Sequence, residues 1–267
     1  YAYMNEARRL KIKILTPDIN DSNYHWHGQS DKIRMGFMSI RNLKYKTISL
    51  ILSKRKNGYF DSLDDFLFRV DLDFSDAMAL TNAGCFRSIT LNMSHQEIAY
   101  NVAGFYLQNG SRKTFGPSLL KRHLTLDEKY QLELDTFGFP ITIHPTARYR
   151  PMLSKRICYA KDIPKYQGQS IYLIGIYITR KESTTRMSEP MEFLTLEDET
   201  DIYECVLFPT VFKDFGDLVH WERLFIIRGK VEESFGVCSI NVEKIGSLQQ
   251  WINRIKQHKS VSTYHFD

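Results

Sequence analysis

Between residues 33 and 83 apolar positions recur with a period near 3.6, which predicts helices. One starts near Lys46, carries Leu50 and Ile51 on its apolar side, and stops at Lys54-Arg55-Lys56-Asn57-Gly58. Basic side chains suit the carbonyl end of a helix, and glycine accepts the left-handed turn that ends one. Ser62 precedes Leu63-Asp64-Asp65-Phe66-Leu67 with an acid three positions on, the pattern of a capping box. Further helices are predicted over residues 75–82, ending at Ala83-Gly84, over 95–108, and over 126–137, ending at Gly138. Upstream, residues 4–10 read as the end of a helix and 12–15 as extended, punctuated by Thr16-Pro17-Asp18 and Asn20-Asp21-Ser22. A short strand pair is predicted within 24–35. Residues 109–113 and 116–117 read as loop, and Pro140, Pro145, Pro151 and Pro164 break up a long connection.

From Ile171 the period shortens to that of strands, with β-branched and aromatic residues over 171–179, 191–197 and 202–208. Asp198-Glu199-Thr200-Asp201 is a turn between the last two, and Pro209 opens a helix to about residue 218. Strands over 223–231 and 237–242 follow, then a polar helix over 248–258. Three strands, a helix and two strands fit a five-stranded OB barrel, with other small β-barrels as the alternative. The expected fold is α+β and multidomain, a helical domain followed by that barrel. The expected divisions are 1–32, a helical domain over 33–90, a helical linker over 91–165, the barrel over 166–246 and a tail over 247–267.

A length of 267 residues suits two or three domains. No apolar run is long enough to span a membrane. Four scattered cysteines without a Cys-x-x-Cys pair argue against zinc and disulfides, and for buried thiols in a cytoplasmic protein. The charge is unevenly placed: residues 1–60 carry 12 Lys and Arg against 4 Asp and Glu, whereas residues 171–245 carry 8 against 14. The basic N-terminal part suits a polyanion, and the acidic barrel argues against strong general affinity for single strands. The chain begins without Met and lacks a signal-peptide pattern, as a piece of a longer protein would.

Several segments, in order, resemble the alpha subunit of bacterial DNA polymerase III or its error-prone paralogues. Glu6-Ala7-Arg8-Arg9 and Ile14 through Ser22 resemble the end of the fingers domain. Ile33 through Ile40 resembles the start of the helix-hairpin-helix region, and Phe60 through Phe66 with Asn82-Ala83-Gly84-Cys85-Phe86 resembles its end. Glu133 through Phe139, then His144-Pro145, resembles the linker, and Thr195 through Thr200 with Val206-Leu207-Phe208-Pro209 is similar to the OB signature. The resemblance implies a DNA-directed DNA polymerase as the parent, in replication or translesion synthesis, with these domains gripping DNA. The metal-holding acids and their magnesium would lie in the palm, upstream of residue 1, so no cofactor and no catalytic residue is expected in this chain. Two departures stand out: Asn42-Leu43-Lys44 where the family hairpin usually has glycines, and Asp201 where glycine is usual. No sliding-clamp motif is recognisable between Phe86 and Leu126.

DNA binding is the chemistry left. Arg41, Asn42, Lys44, Lys46, Lys54, Arg55 and Lys56 are the candidate contacts to duplex backbone. On the barrel, Arg180, Lys181 and Arg186 line the loop after the first strand, and Phe193 and Tyr203 are candidate base-stacking rings for single-stranded template. The bland readings are a solvated helical face and a barrel core. Asp64-Asp65 suits a helix start, Glu197-Asp198-Glu199 a strand end, and neither a metal site. The competing function is a protein-interaction module docking replication or repair partners.

Overall fold

Extended segments, capped helices and then a barrel follow one another along the computed structural model, which describes residues 4, 6–7, 10–107, 123–153 and 156–257. The predicted loop at 109–117, the last residue of the helix expected over 95–108 and the end of the tail lie outside these. The chain divides between Ile143 and His144 into two units.

In the first unit, β1 (Lys13–Leu15), β2 (His27–Gln29) and β3 (Lys32–Arg34) form a sheet in the order β1-β3-β2. β2 and β3 form a strand pair within the expected stretch and run antiparallel, and β1 adds in parallel, Ile14 opposite Ile33. Five helices follow: α1 (Tyr45–Arg55), α2 (Leu63–Arg69), α3 (Phe74–Asn82), α4 (His95–Leu107) and α5 (Leu126–Phe137). Each of the last four has a side-chain cap. Ser62 accepts from the Asp65 amide, Asp73 from Asp76, Ser94 from Glu97, and Thr125 from Glu128. Thr125 and Glu128 complete a reciprocal capping box, and Gly138 ends α5 in the left-handed region (φ 87°). The core is aromatic at its centre: the Phe66 ring lies 5.0 Å from those of Phe60 and Phe86, among buried Ile19, Met35, Phe37, Ile51 and Leu80.

The second unit is a closed barrel in the order β4-β5-β6-β8-β7. Its strands are β4 (Ser170–Thr184), β5 (Pro190–Glu197), β6 (Ile202–Leu207), β7 (Leu224–Ser234) and β8 (Val237–Ser247), with α6 (Pro209–Trp221) between β6 and β7. β4 serves two neighbours. Its first half pairs with β7 and its second with β5, with a register shift between Tyr177 and Thr179. β4 runs five residues beyond the predicted end, because polar residues up to Thr184 continue as a hairpin arm. The barrel closes where β6 meets β8 in parallel, at Glu204–Ser239, Cys205–Ile240 and Val206–Asn241. Gly229 is needed at this tight interior, since a Cβ there would lie 2.5 Å from the Ile240 side chain. The core holds Leu173, Leu194, Leu196, Cys205, Leu207, Phe225 and Ile227, all fully buried.

α7 (Leu248–Gln257) corrects the expectation of a polar helix. Leu248 and Ile252, four apart on one face, are fully buried with Ile174, Ile226 and Tyr149. Most of its other residues are polar, which is why composition alone read it as polar, and Gln249 accepts from the Tyr149 hydroxyl at 2.6 Å. The cysteines are free thiols, Cys85 and Cys205 buried and Cys158 and Cys238 partly so. No described helix is long and apolar enough to cross a membrane.

Candidate nucleic-acid interface

Of the helices α1 to α5, α1 starts without a capping side chain. The chain enters it through Asn42, which takes the left-handed conformation (φ 62°) that glycine would adopt most easily. Its N-cap is Lys44, whose side chain cannot accept a hydrogen bond, and its first turn has no acid. The first turn therefore lacks a cap of its own, and the acids beside it are Asp73 and Asp76, held by Lys44 and Thr47.

Thr47, Ile48 and Ile51 are the buried side of α1, with Thr47 donating to buried Asp76. The opposite side is exposed and carries Lys46, Ser49 and Ser53, with exposed Lys54 at its margin and Lys56 at the C-cap, without an acid. At about 100° per residue, Lys54 and Lys56 fall roughly 80° to either side of Lys46 and so about 160° from each other, flanking it as a broad basic surface. The other basic candidates are committed within the protein. Arg41 donates its amide to Thr136 O at 2.8 Å, and its guanidinium lies over Gly138, where a Cβ would come within 2.3 Å of it. Lys44 pairs with Asp73 and lies 3.8 Å from Asp76. The Asp73 hydrogen bond raises the Lys44 pKa. Arg55 ties α1 to the preceding loop, donating to Ser22 O at 2.8 Å, Ile19 O at 3.2 Å and Asn23 Oδ1 at 3.1 Å. Arg41, Lys44 and Arg55 thus each have a partner within the protein, unlike the side chains of Lys46, Lys54 and Lys56 among the described residues.

On the barrel, side chains alternate inward and outward along each strand. Phe193 points outward, half-buried, opposite Lys181 on β4 and Val206 on β6. It lines a shallow groove with Thr179, Lys181, Thr195 and Glu204. Arg186 is exposed on the β4–β5 hairpin. Tyr203 faces the other way and is core, 5% exposed, so base stacking by it is excluded. Its hydroxyl has no hydrogen-bond partner and sits over Gly175, where a Cβ would lie 2.5 Å from the oxygen. Tyr203→Phe removes an unsatisfied buried hydroxyl, so stability should hold or rise by up to ~1 kcal/mol, with DNA affinity unchanged. Urea unfolding and a DNA titration check both.

Arg180 also borders the groove but is engaged within the barrel. It lies 3.7 Å from the fully buried Glu192 carboxylate and donates to Val219 O at the end of α6. Neither Glu192 oxygen has a hydrogen bond, and burial raises its pKa, while Arg180 and His220 lower it and Glu182 adds to the rise. A carboxyl with a raised folded-state pKa binds more protons folded than unfolded, so its contribution falls as pH rises from the ordinary glutamate value through the folded one. Glu192→Gln should flatten that fall and add about 1 kcal/mol at neutral pH, read from urea unfolding across the pH range.

A helix-hairpin-helix motif matches residues 11–96, and an OB-fold nucleic acid binding domain matches residues 173–248. The chain is a helix-hairpin-helix region followed by an OB fold. Over most of its length it is similar to the C-terminal region of DNA polymerase III alpha and error-prone polymerases. It is 26% identical to the DNA polymerase III subunit alpha of Aquifex aeolicus, over 95% of this chain and 22% of that protein. It is 26% identical to the error-prone DNA polymerase of Rhodopirellula baltica, over 95% of this chain and 23% of that one. The Bacillus subtilis alpha subunit is likewise 26% identical, over 98% and 25%. The chain thus spans about a quarter of the length of the relatives it matches.

The acidic turn of the OB fold is a structural joint. Arg150, from the segment before the barrel, donates to Asp198 at 2.8 Å and Glu199 at 2.6 Å, and stacks 4.1 Å over the Tyr159 ring. Asp198 also accepts from the amides of Ala160, Thr200 and Asp201. Burial would raise the Glu199 pKa, but the Thr146 hydroxyl and Arg150 outweigh it and hold it below the ordinary value. Sequence reasoning missed Arg150, since an arginine in a proline-broken connection has no periodicity to reveal its partner. No three His, Cys, Asp or Glu side chains converge as metal ligands among the described residues.

Proposed function

We propose that this chain is the DNA-gripping C-terminal part of a bacterial replicative or error-prone polymerase. The helix-hairpin-helix region holds duplex backbone through Lys46, Lys54 and Lys56. The OB fold contacts single-stranded template with Phe193, Lys181 and Arg186. The observation that carries the reading is the exposed set of Lys46, Lys54 and Lys56, without an acid among them, within a helix-hairpin-helix match. Contacts of this kind ignore base sequence, as a polymerase requires. Nucleotidyl transfer and its magnesium belong, on this reading, to a palm outside the chain.

Anisotropy titrations with primed duplex and single strands at several salt concentrations test this. Duplex affinity should fall with salt with a log–log slope of about −3, the value for three or so phosphate contacts. No duplex binding at low salt would sink the proposal. A second reading, a protein-docking barrel, is favoured by one feature. Phe235, fully exposed at φ 53°, and Val237 project from the β7–β8 hairpin beside Glu232 and Glu233. Unchanged duplex affinity on removing the barrel's basic groups would fit that division of labour.

A further inference from the structure

The first unit contains a cavity of about 680 Å³, away from the exposed lysine face of α1. It opens between the turn after α3, the start of α4 and one side of α5. That volume is within the range of sites for small ligands. Its walls fall into two kinds. Met93, Leu124, Leu132 and Phe137 are apolar, whereas Arg87, His95 and Lys129 supply cationic or donor groups.

The polar groups are differently engaged. Glu97 accepts from the Ser94 amide, and Glu133 accepts from the amides of Ile141 and Thr142, so both carboxylates are tied to backbone donors. Arg87 and Lys129 are exposed and have no side-chain partner among the described residues. The Arg87 guanidinium lies against Gly84 (φ 72°), where a Cβ would come within 2.9 Å of it, so the glycine leaves room for a flat guanidinium over the turn. His95 is half-buried, and its Nε2 is buried without a hydrogen-bond partner. Burial, and secondarily the charge of Arg87, lower its pKa and favour the neutral ring.

Two unspent cations beside an imidazole nitrogen without a partner suit a dianion better than the single charge of an internal phosphodiester. The apolar wall suits a flat ring attached to it. We propose that this cavity binds a terminal phosphate monoester with an aromatic body, namely a nucleoside 5′-monophosphate, either free or at the 5′ end of a DNA strand. Arg87 and Lys129 clasp the phosphate, His95 takes up a proton as it binds, and Leu132 and Phe137 cover the base. The site is separate from the α1 face and does not depend on it.

Imidazole NMR of the whole chain tests the proposal, with deoxyadenosine monophosphate, deoxyadenosine, and oligonucleotides bearing a 5′-phosphate or a 5′-hydroxyl. The monophosphate should raise the His95 pKa and the nucleoside should not. Arg87→Gln and Lys129→Gln, both at exposed positions, should each weaken the monophosphate about tenfold. Lys46→Glu/Lys54→Glu/Lys56→Glu should leave that binding unchanged while losing duplex, which keeps failure here apart from failure of the duplex proposal. A response to the 5′-phosphorylated strand but not its 5′-hydroxyl twin identifies a DNA end as the source, and a response to the free monophosphate alone identifies the nucleotide. His95 signals unmoved by about 10 mM monophosphate and by the phosphorylated strand would overturn the proposal, as would wild-type binding in Arg87→Gln.

Discussion

Arg150→Met should cost the OB unit about 3–5 kcal/mol, because it strands a buried carboxylate. For a unit of this size that lowers the melting temperature by roughly 10–20 °C. The Asp198 side chain is fully buried and Glu199 partly so, and Arg150 is the cation that faces both. Arg150 also donates to the carbonyls of Ile157 and Cys158, so its loss leaves acceptors unpaired on both sides of the joint. Arg150→Lys should recover only part of the loss, because an ammonium cannot present the planar fork that meets Asp198 and Glu199 together. Asp198→Asn in the Arg150→Met background should restore some stability by removing the stranded charge. Glu199 adds a pH signature: its folded pKa is depressed, so its stabilising contribution is present above the ordinary glutamate value and is lost as pH falls below it. Thermal and urea melts followed by near-UV circular dichroism measure all three variants. A melting temperature for Arg150→Met within about 2 °C of the wild type would refute the joint.

The second large effect is on DNA. Reversing Lys46, Lys54 and Lys56 to glutamate should weaken duplex binding by on the order of a hundredfold or more at moderate salt, and flatten the salt slope by about three. The three side chains are exposed, so folding should be nearly unaffected. Lys44→Gln is the informative control, because Lys44 is already paired with Asp73 and Asp76 and its removal should leave the slope almost intact. Equal slopes for the triple variant and the wild type would place the duplex elsewhere.

Much of the fold was legible because local chemistry marked it. Ser62, Thr125 and Gly138 each sit where capping physics puts them, and the helices they bound matched the periodic segments. The barrel followed from the change of period at Ile171 and the helix-opening Pro209. The candidate site was less legible. Whether a basic residue is free or spent depends on partners distant in sequence: Lys44 finds Asp73, Arg55 finds Ser22, and Arg41 finds the end of α5. Tyr203 and Phe193 are alike as residue types and lie on paired neighbouring strands, yet the pleat sends one ring inward and the other out. One residue of register decided that difference, and composition carries no trace of it.

The order of strands around the barrel constrains how it can be made. β8 lies between β6 and β7, so the ring stays open on both flanks until the last strand has left the ribosome. Through most of its synthesis the second unit carries two bare strand borders that invite pairing with neighbouring nascent chains. Shielding by a chaperone should therefore matter most just before residues 237–247 emerge, and any truncation short of them should yield insoluble protein.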